Sequence, residues 1–250
     1  MTLNELLRNI ILLLIFAYSS PFLINGIKNH YINALEPRTL IGSITIKETV
    51  TQSSHITTQL NNLFKNTSIK GIVLLIDCYD CAAGTSQLIF HEIQKLKKEY
   101  PKPLLALIEN ECLSGAYLIA SACDYIIAPE SALIGKIGSY TLPDHLRTLS
   151  EQSDITYNEI YEQSTKHIAM ARKLSLATVS NWALEKIFTG RQALKLGLIT
   201  NIGSMTTVTS LMKEKALIDG EIEWVEKKYH YQKLPFSISL FASNVQYCTV

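Results

Sequence analysis

The chain has no charge of either sign to spare: Lys and Arg number 23 against 22 for Asp and Glu, a net +1 over 250 residues. That balance leaves no electrostatic footprint for nucleic acid, so none is expected as a partner. Cysteine is scarce and odd in number: Cys78, Cys81, Cys112, Cys123 and Cys248 follow no repeating spacing, which excludes a disulfide-stapled scaffold. Cys78-Tyr79-Asp80-Cys81 is a C-x-x-C, but zinc needs a second pair, and Cys112 and Cys123 are too far apart in sequence to form one. No metal and no cofactor are expected. No repeat, low-complexity tract or G-x-S-x-G elbow is present; Cys112 stands where that elbow has its first glycine.

What is present is an apolar majority, with 47% hydrophobic residues in a chain long enough for one large domain. Asn9 to Ile27 runs without a charge between Arg8 and Lys28, close to the roughly 20 residues a helix needs to cross a bilayer. Two readings stay open for residues 1–27. One is a signal anchor; the other is a cleaved signal peptide cut after Ser19, where Ala17 and Ser19 are small. Either reading puts the remainder on the extracytoplasmic side, with the anchor holding it to the membrane. Residues 28–38 read as a linker, 39–228 as the folded domain, and 229–250 as a tail without clear period.

Within the domain, β-rich apolar runs alternate with helical patterns, the signature of an α/β fold with a largely parallel sheet. Strands are expected at Leu40–Ile46, Gly71–Ile76, Leu104–Ile108 and Tyr125–Ala128. Gly71–Ile76 is continuously apolar, as in a strand buried on both faces. Helices are expected at Ile56–Phe64, at Thr85–Tyr100 with Leu88, Ile89, Ile93 and Leu96 on one face, and at Ser114–Ala122. Further helices are expected at Leu142–Leu149, Ser175–Lys186, Arg191–Leu196 and Thr206–Lys215. A turn is expected at Asn110–Leu113.

Glu111-Cys-Leu-Ser-Gly-Ala-Tyr117 sits where a buried strand becomes a helix of small residues. A serine at that junction lies beside first-turn N–H groups able to stabilise an oxyanion. On local sequence alone, an ordinary helix cap is the favoured reading of Ser114 over a nucleophile.

The surrounding pattern resembles the SppA family of membrane-bound signal peptide peptidases. The matching pieces are Ile72–Asp77, His91–Lys97, Pro103–Ile108, Ser114-Gly-Ala-Tyr117, Ala120–Asp124, Ile134-Gly-Lys-Ile-Gly138 and Phe188-Thr-Gly-Arg-Gln-Ala-Leu-Lys-Leu-Gly-Leu198. The resemblance implies a Clp/crotonase-like layered α/β fold with repeated β-β-α units after the N-terminal membrane or signal helix. It also implies a serine endopeptidase with Ser114 as nucleophile and a lysine base in Gln163-Ser-Thr-Lys-His167, namely Lys166. Backbone donors at Gly115, Asp80 and Cys81 form the implied oxyanion hole. The implied partners are apolar peptides such as signal-peptide remnants, and further copies of the chain in a homo-oligomer whose sites are shared between subunits.

The chain departs from the family in three places. Cys78-Tyr79-Asp80-Cys81 replaces a Ser-Pro-Gly-Gly loop. Lys136 replaces the serine that orients the base, and either tunes Lys166 or takes over as base. After Lys166 the chain passes almost at once into Ala171–Ser175, where the family carries a further long helix.

A lysine base must shed its proton near pH 7, which takes a drop of about three units from ~10.4. Ile168, Ala169 and Met170 are the apolar flank expected to bury Lys166. A disulfide between Cys112 and the Cys78–Cys81 segment is also open. Two rival readings remain: a crotonase-like acyl-CoA enzyme, and a pseudopeptidase that keeps the fold and binds peptides. Among the histidines only His145 and His167 follow Ser114 within the domain, which argues against a histidine triad.

Overall fold

The computed structural model describes residues 39–138 and 150–226, and the helical residues 8, 9, 11, 13 and 15–26; side chains of 150–156 and of 226 are outside this description. The linker, the C-terminal tail and the Leu142–Leu149 helix expected from sequence lie outside the described residues. Among the described residues no helix is long and apolar enough to cross a membrane. Those of the N-terminal helix expose their apolar side chains, including Leu13, Phe16 and Phe22.

The domain begins with β1 (Thr39–Val50), α1 (Ser54–Lys65), β2 (Ile69–Cys81), α2 (Ala83–Glu99), β3 (Leu104–Leu113), α3 (Gly115–Ser121), β4 (Tyr125–Ala128) and β5 (Leu133–Gly135). It continues with α4 (Ser150–Arg172), a 3-10 turn at Leu176–Thr178, α5 (Val179–Trp182), β6 (Ile187–Thr189), α6 (Gly190–Lys195), β7 (Asn201–Ile202), α7 (Met205–Ala216) and β8 (Ile222–Glu226). Strand and helix alternate from β1 to β4, and the first strand-to-strand step is β4 to β5.

One eight-stranded sheet runs β6-β5-β3-β2-β1-β8, with β4 joined to β3 and β7 beyond β4. Every pairing is parallel except β5 with β6. Parallel neighbours require crossovers, which α1, α2 and α3 supply.

The alternation along β2 and β3 divides the core. Ile72, Leu74 and Ile76, with Leu104, Ala106 and Ile108, join the larger cluster with residues of α1 to α4. Val73, Leu105 and Leu107 face the other way, against Val208 and Met212 of α7. The result is a layered α/β arrangement with helices on both faces of the sheet, so central strands are apolar without interruption. In α1, Ile56, Leu60, Leu63 and Phe64 recur at helical spacing and are buried.

Four expectations need correction. Leu88 points away from the core, 61% exposed, because the buried stripe of α2 is Ser86, Ile89, Phe90, Ile93 and Leu96. The turn expected at Asn110–Leu113 is strand: β3 pairs β4 at Leu105–Leu107, then exchanges it for β5 at Glu111–Leu113. Ser175–Lys186 is no continuous helix but a 3-10 turn, the four-residue α5 and a bend, where Leu184 and Glu185 take φ of 59° and 58°. Ser114 precedes its helix rather than opening it.

Candidate active site

Ser114 lies between the end of β3 and α3, 1% exposed, with φ 58° and ψ −131°. A non-glycine residue in that region costs on the order of 1–3 kcal/mol and persists only where its surroundings enforce it. The enforcing contacts are visible. Its N–H donates to Gly135 O (3.0 Å), and its carbonyl accepts from Tyr117 N–H (3.1 Å). Its side chain makes no capping hydrogen bond to α3, so the plain helix-cap reading fails. A strained serine at a strand-to-helix turn is the arrangement by which other hydrolases present a nucleophile.

Gly115 follows because nothing larger fits. A Cβ there would lie 2.6 Å from Cys81 O and 2.8 Å from the Ser86 side chain. The close approach brings the end of β2 against the first turn of α3, whose N–H groups lack intrahelical partners by geometry. Asp80 and Cys81, the other expected oxyanion donors, are not in a loop. They belong to β2 and pair in register with Thr49 and Val50 of β1, while the next amide, Ala82 N–H, donates to Val50 O (3.1 Å).

Lys136 is close to Ser114 along the sheet. Leu113 pairs with Gly135, so the residues that follow are Ser114 and Lys136. Lys136 is half-buried, has φ 50°, and donates its N–H to Lys186 O (2.7 Å). Gly135, at φ 123°, would put a Cβ 2.4 Å from that same carbonyl, so this turn also requires glycine.

Lys166 departs from expectation. It lies on the outer side of α4, its side chain 60% exposed and 3.5 Å from Glu162 Oε2 one turn back. Of the flanking residues, Ile168 and Ala169 turn into the core and Met170 is 77% exposed. They are buried or exposed by their own place on the helix and give no cover to Lys166. Among the described residues of one chain, nothing removes this ammonium from water.

The cysteines gather as the sequence suggested, without bonding. Cys78 pairs in register with Cys112, and Cys78, Cys81, Cys112 and Cys123 are all buried free thiols. Cys78 Sγ–H donates to Asp80 O at 3.1 Å. Burial pushes the Cys78 thiol up to about 11, and Cys81 and Cys123 to about 12. Cys112 is also pushed well up, again by burial.

Two sequence signatures prove to be braces for this site. In Thr189–Leu198, Thr189 and Gln192 form a capping box on α6 and Ala193 is fully buried. The segment ends with Leu198 O accepting the Tyr117 hydroxyl (2.7 Å), which fixes α3 from behind. At the other end of α3, Asp124 accepts Leu104 N–H (2.9 Å) and pairs with Lys97 (2.5 Å), and Lys97 also donates to Ala122 O (3.0 Å). Arg172, half-buried near Tyr117 at the end of α4, is not singled out by the sequence; nothing in its spacing signals it.

Known proteins carry the same pattern. A family model described as Peptidase family S49 matches residues 96–166 and 156–219. The two matches overlap at residues 156–166, the segment that contains Lys166. The chain is 25% identical over 191 residues to "Putative protease MJ0651" of Methanocaldococcus jannaschii, covering 64% of this chain and 61% of that protein. It is 23% identical over 201 residues to Protease 4 of Haemophilus influenzae (66% and 32%) and 24% identical over 222 residues to Serine protease SPPA, chloroplastic, of Arabidopsis thaliana (75% and 32%). It therefore spans between about a third and three fifths of the length of these relatives. With a strained serine at the end of β3 and the braces of α3 in the positions of the family's signatures, the chain belongs to peptidase family S49, of the SppA type.

Proposed function

We propose that this chain is a serine endopeptidase on a Clp/crotonase-like fold, with Ser114 as nucleophile and Lys136, rather than Lys166, as general base. The observation that carries the reading is Ser114 itself: buried, strained, not capping its helix, and hydrogen-bonded through its backbone to the residue before Lys136. In the proposed reaction, Lys136 Nζ takes the proton of Ser114 Oγ as that oxygen attacks the scissile carbonyl. The oxyanion accepts from Gly115 N–H, and the Asp80–Cys81 backbone contributes what its strand pairing leaves available. The ammonium returns the proton to the leaving amine, and water then hydrolyses the acyl ester by the reverse use of the same base.

Substrates in this proposal are apolar peptides, including signal-peptide remnants, as the family resemblance implies. Assembly into a homo-oligomer with shared sites is part of it, and so is membrane attachment through the apolar N-terminal helix with the domain extracytoplasmic. The exposed apolar side chains of that helix support attachment.

One observation favours a second reading, a peptide-binding pseudopeptidase: β2 stays in the sheet through Cys81, without the family's glycines. Labelling by a fluorophosphonate probe together with cleavage of an apolar fluorogenic peptide separates the two. Labelling of the native chain that is lost in Ser114→Ala supports the peptidase. A folded, assembled chain that neither labels nor cleaves overturns it in favour of peptide binding.

A further inference from the structure

Away from Ser114, the seam between α2 and α4 is built of polar rungs at helical spacing. Gln87 Nε2 donates to Gln163 Oε1 at 3.1 Å. One turn along both helices, the rings of His91 and His167 meet with centres 4.9 Å apart and planes at 88°. Phe90 stacks on His167 (5.2 Å, 26°) and meets His91 edge-on (5.5 Å, 81°), so a single aromatic ring orients both imidazoles. His167 Nδ1 is buried without a hydrogen-bond partner. A cavity of about 350 Å³ lies against the pair, lined also by Gln94, Lys98 and Met170.

Two imidazoles that share one tetrahedral zinc ion, through bonds of about 2.0 Å, hold their ring centres roughly 5 Å apart. The 4.9 Å between the His91 and His167 ring centres meets that spacing, which an edge-to-face ring contact shares, and the unpartnered His167 Nδ1 is the atom left to bind. We propose that His91 and His167 form a binding site for a borderline transition-metal cation, zinc being the reference case, which clamps α2 to α4.

Solvent fills the remaining positions through the cavity, since His91 is exposed. Among the described residues no group of three or more His, Cys, Asp or Glu side chains gathers to hold a metal, so the clamp is weaker than a closed structural zinc site. Lys98 is exposed, and its flexible stem can carry the ammonium into water as the cation enters. None of these residues belongs to the proposed catalytic group.

The test is titration of the full chain with zinc chloride, followed by isothermal calorimetry and by thermal unfolding. The expected result is one equivalent bound and a rise in Tm that saturates. His91→Ala and His167→Ala should each weaken binding at least tenfold, while His55→Ala, on α1, binds as the parent does. His91 is exposed, so His91→Ala tests the site without risk to the fold. No zinc-dependent shift in the parent chain, or an unchanged shift in His91→Ala, overturns the proposal.

Discussion

The end of β3 and the outer side of α4 carry the two residues that the family pattern pairs, and they are built in opposite ways. Ser114 is 1% exposed, strained in φ, and tied through its backbone to β5 and α3. Lys166 has a side chain 60% exposed and, among the described residues, pairs with its helical neighbour Glu162. A nucleophile needs fixed geometry, which β3 and α3 supply; a lysine base needs removal from water, which α4 does not. Lys136 shares the architecture of Ser114: positive φ, partial burial, and a backbone held by the neighbouring strand segment.

The largest expected effect follows from that contrast. Ser114→Ala should abolish probe labelling and lower peptidase turnover by roughly 10⁴-fold or more, the scale on which loss of a nucleophile is felt. Lys136→Ala should fall by a comparable factor, and Lys166→Ala should stay within about twofold of the parent. The reverse outcome, loss with Lys166→Ala alone, would break the comparison by showing that α4 delivers its lysine to a neighbouring copy rather than to its own serine.

Stability sharpens the same contrast at smaller scale. Gly115→Ala drives a Cβ to within 2.6 Å of the Cys81 carbonyl, a backbone atom that cannot swing aside. The expected cost is about 1–3 kcal/mol, read as a lower urea midpoint at unchanged slope. Lys166→Ala, on the exposed side, should change stability by no more than about 0.5 kcal/mol. Equal costs at the two positions would mean that the β2–α3 contact yields more readily than its packing indicates.

Much of this division was legible in the residues. The apolar run Ile72–Ile76 places β2 between two helical layers, and Ser114-Gly-Ala-Tyr117 after a buried strand locates the strained turn that carries the proposed nucleophile. Where reading failed, the cause was tertiary. Asn110–Leu113 resembles a turn until β5 arrives as its partner, and no local pattern announces that exchange. Lys166 has apolar neighbours in sequence, but Ile168 and Ala169 are angularly displaced from it on α4, so adjacency did not become burial. The Cys78–Cys112 proximity was legible; the state of the thiols was not, since register sets position and not oxidation.

That thiol state gives the next measurement. With burial holding Cys78 near 11 and Cys81 and Cys123 near 12, little thiolate exists at pH 8. A chromogenic disulfide reagent should label at most Cys248, which is outside the described residues, in the native chain, and all five cysteines after unfolding. Rapid labelling of several thiols in the native chain would show that the β2–β3 end opens, against the rigid character assigned to it.

The smallest effect concerns the α2–α4 seam. Burial, then the His91 charge, hold the His167 pKa below 6.5 in the folded chain, while the unfolded chain titrates near that value. Between the two values the unfolded state binds more protons, so stability rises with pH through that window. The full contribution is therefore present above about pH 6.5 and is lost as pH falls through the folded pKa. His167→Gln should flatten the unfolding midpoint between neutral and mildly acidic pH, while Lys166→Ala, one residue away but facing water, should leave that slope unchanged. A slope that persists in His167→Gln would assign the acid sensitivity elsewhere and make this face of α4 as indifferent to charge as the face that carries Lys166.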